Sequence, residues 1–198
     1  MTYYNFTDPS KNALLWIADG GHPLIQIKRY AEIDGLDGPA WNLDLTWKSN
    51  PITYIHSGTG GDAVERCKTR EVVADFEQEL TRITEDESRF VIESVASSCA
   101  FLQQQRKKAS KGIIYHLESQ ETMHLMTRNY KTSSALSLHD EVEMAKEIVK
   151  RAQELGCGIS FALNFKHPQA VNILRKFQPL EVYGSAMGGI EYAAPYQG

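Results

Sequence analysis

Several things are scarce in this sequence, and each absence closes off a class of function. No apolar stretch approaches the roughly 20 residues that a bilayer requires. The run Ala13 to Ala18 is also too short for the core of a signal peptide. The chain therefore reads as cytosolic, with no membrane partner. Cysteine is limited to Cys67, Cys99 and Cys157, an odd number without close spacing. That argues against a disulfide scaffold and for a reducing compartment. Positive charge is not in excess, since 21 Lys and Arg stand against 25 Asp and Glu for a net charge of -4. A general attraction to nucleic acid or anionic lipid is thereby removed. Only Arg106 to Lys111 approaches a basic face, so nucleic acid is not expected as a partner. There is no Gly-x-Ser-x-Gly elbow and no His-Glu-x-x-His pair, and the histidines show no metal-ligand spacing. Internal repeats and low-complexity segments are missing as well.

What is present is the makeup of a globular protein. With 198 residues, 42% of them hydrophobic, the chain can bury a proper core. The first fifty residues read as a β-rich segment or arm. Leu14-Leu15-Trp16-Ile17 and Leu24-Ile25-Gln26-Ile27 flank Asp19-Gly20-Gly21-His22-Pro23, a hairpin or tight connection. Asp34 to Pro39 forms a turn, and Trp41 to Trp47 alternates apolar and polar as a half-exposed strand does. A further strand, Ile52 to Ile55, leads into His56-Ser57-Gly58-Thr59-Gly60-Gly61-Asp62. Such a loop could aim backbone N–H groups at the phosphate of a nucleotide or ADP-ribose, but no phosphate-loop or dinucleotide motif is complete. The plainer expectation is a turn that ends with Asp62 capping a helix.

Two helices are expected next. One runs from Ala63 or Thr69 to Arg82, with Val72, Val73, Phe76, Leu80 and Ile83 on a stripe. The other starts at the capping-box pattern Thr84-Glu85-Asp86-Glu87, carries Val91, Val95, Cys99 and Leu102 at helical spacing, and ends in Arg106, Lys107, Lys108 and Lys111. Beyond Gly112 come strands at Gly112 to Glu118 and Thr122 to Thr127, then a polar turn, Asn129 to Ser134. A long amphipathic helix follows from Leu138 to about Leu155, stopped by Gly156. After it come a strand over Gly158 to Asn164, a short helix begun by Pro168, and two strands near Leu180 to Tyr183 and Gly189 to Ala193.

This order of elements resembles the GNAT family of acyl-CoA-dependent N-acyltransferases. The segment His167-Pro168-Gln169-Ala170-Val171-Asn172-Ile173-Leu174-Arg175-Lys176-Phe177 is similar to that family's penultimate helix, which commonly begins Asn-Pro-x-Ala. The ending also resembles small GNAT-like proteins of podophages. The resemblance implies an α/β fold over residues 51–198, with a mixed, mostly antiparallel sheet flanked by helices and a splayed strand pair beside the start of the longest helix. It implies acetyl-CoA as cofactor. Met126, Thr127 and Arg128 would hold the pantetheine by main-chain pairing, and Lys131, Ser133, Ser134 and Ala135 the phosphates, with Asn164 on the facing strand.

The chemical step needs a base for the attacking amine and an acid for the departing thiolate. Glu118 and His124 are the candidate bases, with His116 on the same strand as Glu118. The family's tyrosine acid aligns with Leu174, and Tyr130 and Tyr183 are the hydroxyls that could replace it. At the phosphate loop, Ser134 and Leu136 stand where the family carries small residues. Ser137-Leu138-His139-Asp140 offers an ordinary capping box there instead. Two functions follow: an amine N-acyltransferase, or a catalytically inactive GNAT-shaped protein that binds a partner, as a phage accessory, virion or host-inhibiting protein would.

Overall fold

A computed structural model describes residues 2–6, 8–35, 38–58, 61–85, 91–109, 112–118, 125–131 and 136–177, with 125–131 described by its backbone alone. The chain forms two compact units, Asp8–Gln104 and a second made of Met1–Thr7 with Gln105–Gly198. The division expected at residue 50 falls within a hairpin of the first unit. Both units are α/β, each an antiparallel sheet with helices packed on it.

The Asp8–Gln104 unit opens with α1 (Pro9–Ala18), whose N-cap Asp8 accepts from the backbone of Ser10 and Lys11. The run Leu14 to Ile17 is therefore helical rather than one arm of a hairpin. Asp8 as cap and Pro9 in the first turn are the start signals that outweigh the apolar run. A meander follows: β2 (Ile25–Gly35), β3 (Gly38–Trp47), β4 (Asn50–His56) and β5 (Val64–Arg66), in that order across the sheet. Then come α2 (Arg70–Thr84) and α3 (Val91–Lys108). Alternation puts Trp41, Leu43, Leu45 and Trp47 on the face that meets Leu14, Ile17, Phe76, Leu80, Val95 and Cys99. Asn42, Asp44 and Thr46 take the other face, where Thr53 Oγ1 donates to Asp44 at 2.7 Å.

Two local features set this sheet's register. The β3–β4 turn is a two-residue hairpin with Lys48 at φ 46° and Ser49 at φ 69°, positions that favour glycine or asparagine. Lys48 is held there by Asp75 at 2.7 Å, which also accepts from Trp47 Nε1 at 2.7 Å. In β2 the pairing with β3 slips at Lys28, so that Ile27 faces Leu45 but Arg29 faces Asp44. This bulge moves Tyr30 to the helix-covered side and Arg29, Ala31 and Ile33 to the open side.

The other unit holds a four-stranded sheet in the order β1 (Thr2–Tyr4), β8 (Gly158–Leu163), β6 (Gly112–Glu118), β7 (Leu125–Lys131). Helices α4 (Leu138–Glu154) and α5 (Pro168–Lys176) bury Ala145, Ile148, Ala152, Ala170, Val171 and Leu174 against Ile113, Tyr115, Leu117, Ile159 and Ala162. The long helix has the expected start and ends before Gly156, which takes φ 61°. Of the strand expected over 122–127 the described part, from Leu125, is strand, and it continues through the supposed turn at Asn129 to Lys131. Pairing with Ile114, Ile113 and Gly112 of β6 makes that extension part of the sheet. The two strands expected near the C-terminus lie outside the described residues.

Candidate functional site

The resemblance placed a ligand slot between the strands that flank the long helix, so the site is best built from those strands. β7 leads into α4 and α4 into β8, yet β7 and β8 are not neighbours. β6 lies between them, with Tyr115 paired to Arg128 on one side and to Ala162 on the other. The expected splayed pair is therefore not formed, because the central strand β6 pairs with the inner edges of both. Met126, Thr127 and Arg128 pair through Leu117, His116 and Tyr115 of β6. Lys131 pairs with Gly112 at the strand's far end. His124, Ser133, Ser134 and Ala135 lie outside the described residues.

The start of α4 is capped from within. Ser137 accepts from the Asp140 backbone at 3.2 Å, and the Asp140 carboxylate accepts from the Ser137 backbone at 3.0 Å and its hydroxyl at 2.6 Å. These bonds hold the Asp140 carboxyl below the usual range. One residue on, Glu141 is 1% exposed, and its two oxygens accept from the backbone N–H of Lys166 and His167 at 2.9 to 3.1 Å. Glu141 thus occupies the positive end of α5, where Pro168 fills the first turn and His167 makes no side-chain cap. Two helix N-termini that could receive an anion are each met by a carboxylate of this chain. A phosphate approaching them meets like charge.

Asn164 has a structural role. Its backbone takes φ 80°, and its Nδ2 donates to the carbonyls of Ala109 at 3.0 Å and Gly112 at 2.9 Å, tying down the entry to β6. Glu118 is paired in register with Leu125 and Gly158, at the end of β6 opposite Gly112. Six residue steps separate the two ends, roughly 20 Å of strand. The structure therefore brings Lys131, Asn164 and the start of α4 to one end of the sheet and leaves Glu118 at the other. His116, expected on a half-exposed strand, is 1% exposed: its Nε2 lies 3.3 Å from Gln105 Oε1 and its ring 5.0 Å from that of Phe161. The burial follows from β6 being the central strand.

The glycine-rich loop also resolves differently from a phosphate cradle. It leads into β5, not a helix, so Asp62 is not a helix cap and the next helix starts after Thr69. Gly58 (φ 78°) is required because a Cβ there would stand 2.7 Å from the Gly38 carbonyl. His56 stacks on Trp41 at 5.4 Å and 9°, and its Nδ1 accepts from Gly58 at 3.1 Å. Thr84, expected to cap α3, instead ends α2, with its hydroxyl donating to Leu80 at 2.8 Å.

The residues that sequence reasoning passed over are Glu141 and a surface on α4. An open groove of about 560 Å³ is lined by Leu136, Asp140, Glu143, Met144, Lys146 and Lys150, among others. The i, i+3 and i, i+4 spacing of its charges was visible; that Leu136 and Met144 give it apolar surface was not. Among the described residues no group of three or more His, Cys, Asp or Glu is placed to hold a metal ion. No described helix is long and apolar enough to cross a membrane. Comparison with family models, curated proteins and solved structures finds no match to this chain.

Proposed function

We propose that this chain is a binding protein without acyltransferase chemistry, engaging a protein partner. The observation that carries the reading is the place of β6, which pairs with both β7 and β8, where a cofactor slot would need those two strands side by side and splayed open. The carboxylates of Asp140 and Glu141 at the starts of α4 and α5 support it further, since they oppose a pyrophosphate electrostatically. The groove along α4 suits a polypeptide: Leu136 and Met144 give it apolar surface, and Asp140, Glu143, Lys146, Glu147 and Lys150 line it with charges of both signs.

The acyltransferase reading retains one supporting observation, the sequence order β7–α4–β8–α5 with Pro168 opening the short helix. A thermal-shift titration with acetyl-CoA separates the two. A bound ligand at a hundred times its dissociation constant adds about 2.7 kcal/mol of stability, which moves the melting point of a chain this size by several degrees. The binding reading expects no movement at millimolar acetyl-CoA and no acetyl transfer to a panel of amines. Saturable stabilisation with transfer would reinstate the enzyme.

A further inference from the structure

β2 forms one edge of its sheet and, among the described residues, pairs with β3 alone. It is eleven residues long, and Lys28, Arg29, Glu32, Ile33 and Asp34 are exposed, Ile33 to 70%. An edge of this length is a template for another strand unless something covers it. Gln103 Nε2 donates to the Tyr30 carbonyl at 3.0 Å, which puts that carbonyl on the outer side of the strand and leaves its second lone pair. Pro39, which has no N–H, stands opposite Asp34, so Asp34 also turns its backbone outward. Tyr30, Glu32 and Asp34 therefore share the outward-bonding phase.

Charge along this edge is segregated. Lys28 and Arg29 precede Ala31, and Glu32 and Asp34 follow it. A strand that is basic before its midpoint and acidic after it complements its own antiparallel copy. With Ala31 on a two-fold axis, Tyr30 faces Glu32 of the copy, Arg29 lies beside Ile33 on the open side of the sheet, and the bulged Lys28 lies at the end of the strand that runs alongside Asp34 of the copy. The smallest side chain of the stretch sits where the two strands cross most closely, and the isologous arrangement closes on itself.

We propose that a second copy of this chain adds to β2 in antiparallel register about Ala31, joining the two meander sheets into one continuous sheet. This interface does not depend on the partner-binding reading above. It is tested on the full-length chain by sedimentation equilibrium, with and without charge reversal. The unaltered chain is expected to dimerise at micromolar concentrations, more weakly as salt rises. The double variants Lys28→Glu/Arg29→Glu and Glu32→Lys/Asp34→Lys place like charges across the axis and are each expected to weaken the dimer by roughly a hundredfold. Mixed in equal amounts, the two variants are expected to form a heterodimer, since one edge is then wholly acidic and the other wholly basic. That recovery shows both variants to be folded. A chain that stays monomeric at high micromolar concentration overturns the proposal. So does a dimer indifferent to the reversals, or a pair of monomeric variants that fail to recombine.

Discussion

At the scale of single residues, the strongest determinants are polar side chains committed to the backbone. His22 is 7% exposed, and its Nδ1 accepts from Leu24 at 3.2 Å and Ile25 at 3.0 Å, with its ring 5.0 Å from that of Trp16. Burial pulls its pKa below the ordinary 6.5, opposed by Glu79 and reinforced by Arg82. The unfolded chain then takes up the proton first. The neutral ring's stabilisation is complete above the ordinary histidine range and is lost as pH falls below it, at no more than about 1.4 kcal/mol per pH unit. Urea unfolding followed from pH 7.5 to 5 should show this loss, and His22→Asn, which keeps an acceptor that does not titrate in this range, should lessen it. Glu141 is a second case. Glu141→Ala leaves the Lys166 and His167 amides without their acceptor and is expected to cost about 3 kcal/mol by the same measurement. Ser49 works in the opposite sense: at φ 69° it is strained, and Ser49→Gly should stabilise by up to about 1 kcal/mol.

At the scale of elements, the bulge at Lys28 decides which face of β2 is apolar. Deleting Lys28 leaves Ile27 opposite Leu45 and Arg29 opposite Asp44 as consecutive pairs, so Ile25, Ile27 and Tyr30 keep the helix-covered face and only the local kink and twist are lost. The expected result is a cooperative thermal transition that survives the deletion, read by circular dichroism; its loss would show that the bulge itself is required. Elements with strong local signals were legible in the sequence. α4 has its Ser137 cap and Gly156 stop, β3 its alternation from Trp41 to Trp47, and α5 its Pro168. The start of α1 carried a cap and a proline, but the apolar run Leu14 to Ile17 masked its helical spacing. Leu125 to Thr127 of β7 read as strand, but its second half was hidden because Asn129 and Lys131 have turn-like composition, and only pairing with Ile114 and Gly112 makes them strand. The candidate site was the least legible part. Glu141 looks like any acidic residue in a first helical turn, and its role appears only when α5 folds back onto it. Asn164 was picked out as a cofactor residue when its amide serves the backbone of Ala109 and Gly112.

At the scale of the whole molecule, the division between units is the property sequence periodicity could not supply, because β1 joins strands more than a hundred residues away in the chain. All three tryptophans, Trp16, Trp41 and Trp47, belong to the Asp8–Gln104 unit. A fragment spanning residues 8–108, which keeps α3 whole, should retain the native tryptophan emission and unfold cooperatively. An emission like that of the denatured chain would show that the unit does not stand alone. The functional reading depends on strand order in the other unit, and that order can be measured directly from backbone nuclear Overhauser contacts in a deuterated sample. The expected result is that Tyr115 shows cross-strand contacts to both Arg128 and Ala162, since β6 lies between them. Contacts running directly between Arg128 and Ala162, with Tyr115 on neither side of both, would put β7 beside β8, reopen the cofactor slot and contradict the binding-protein account.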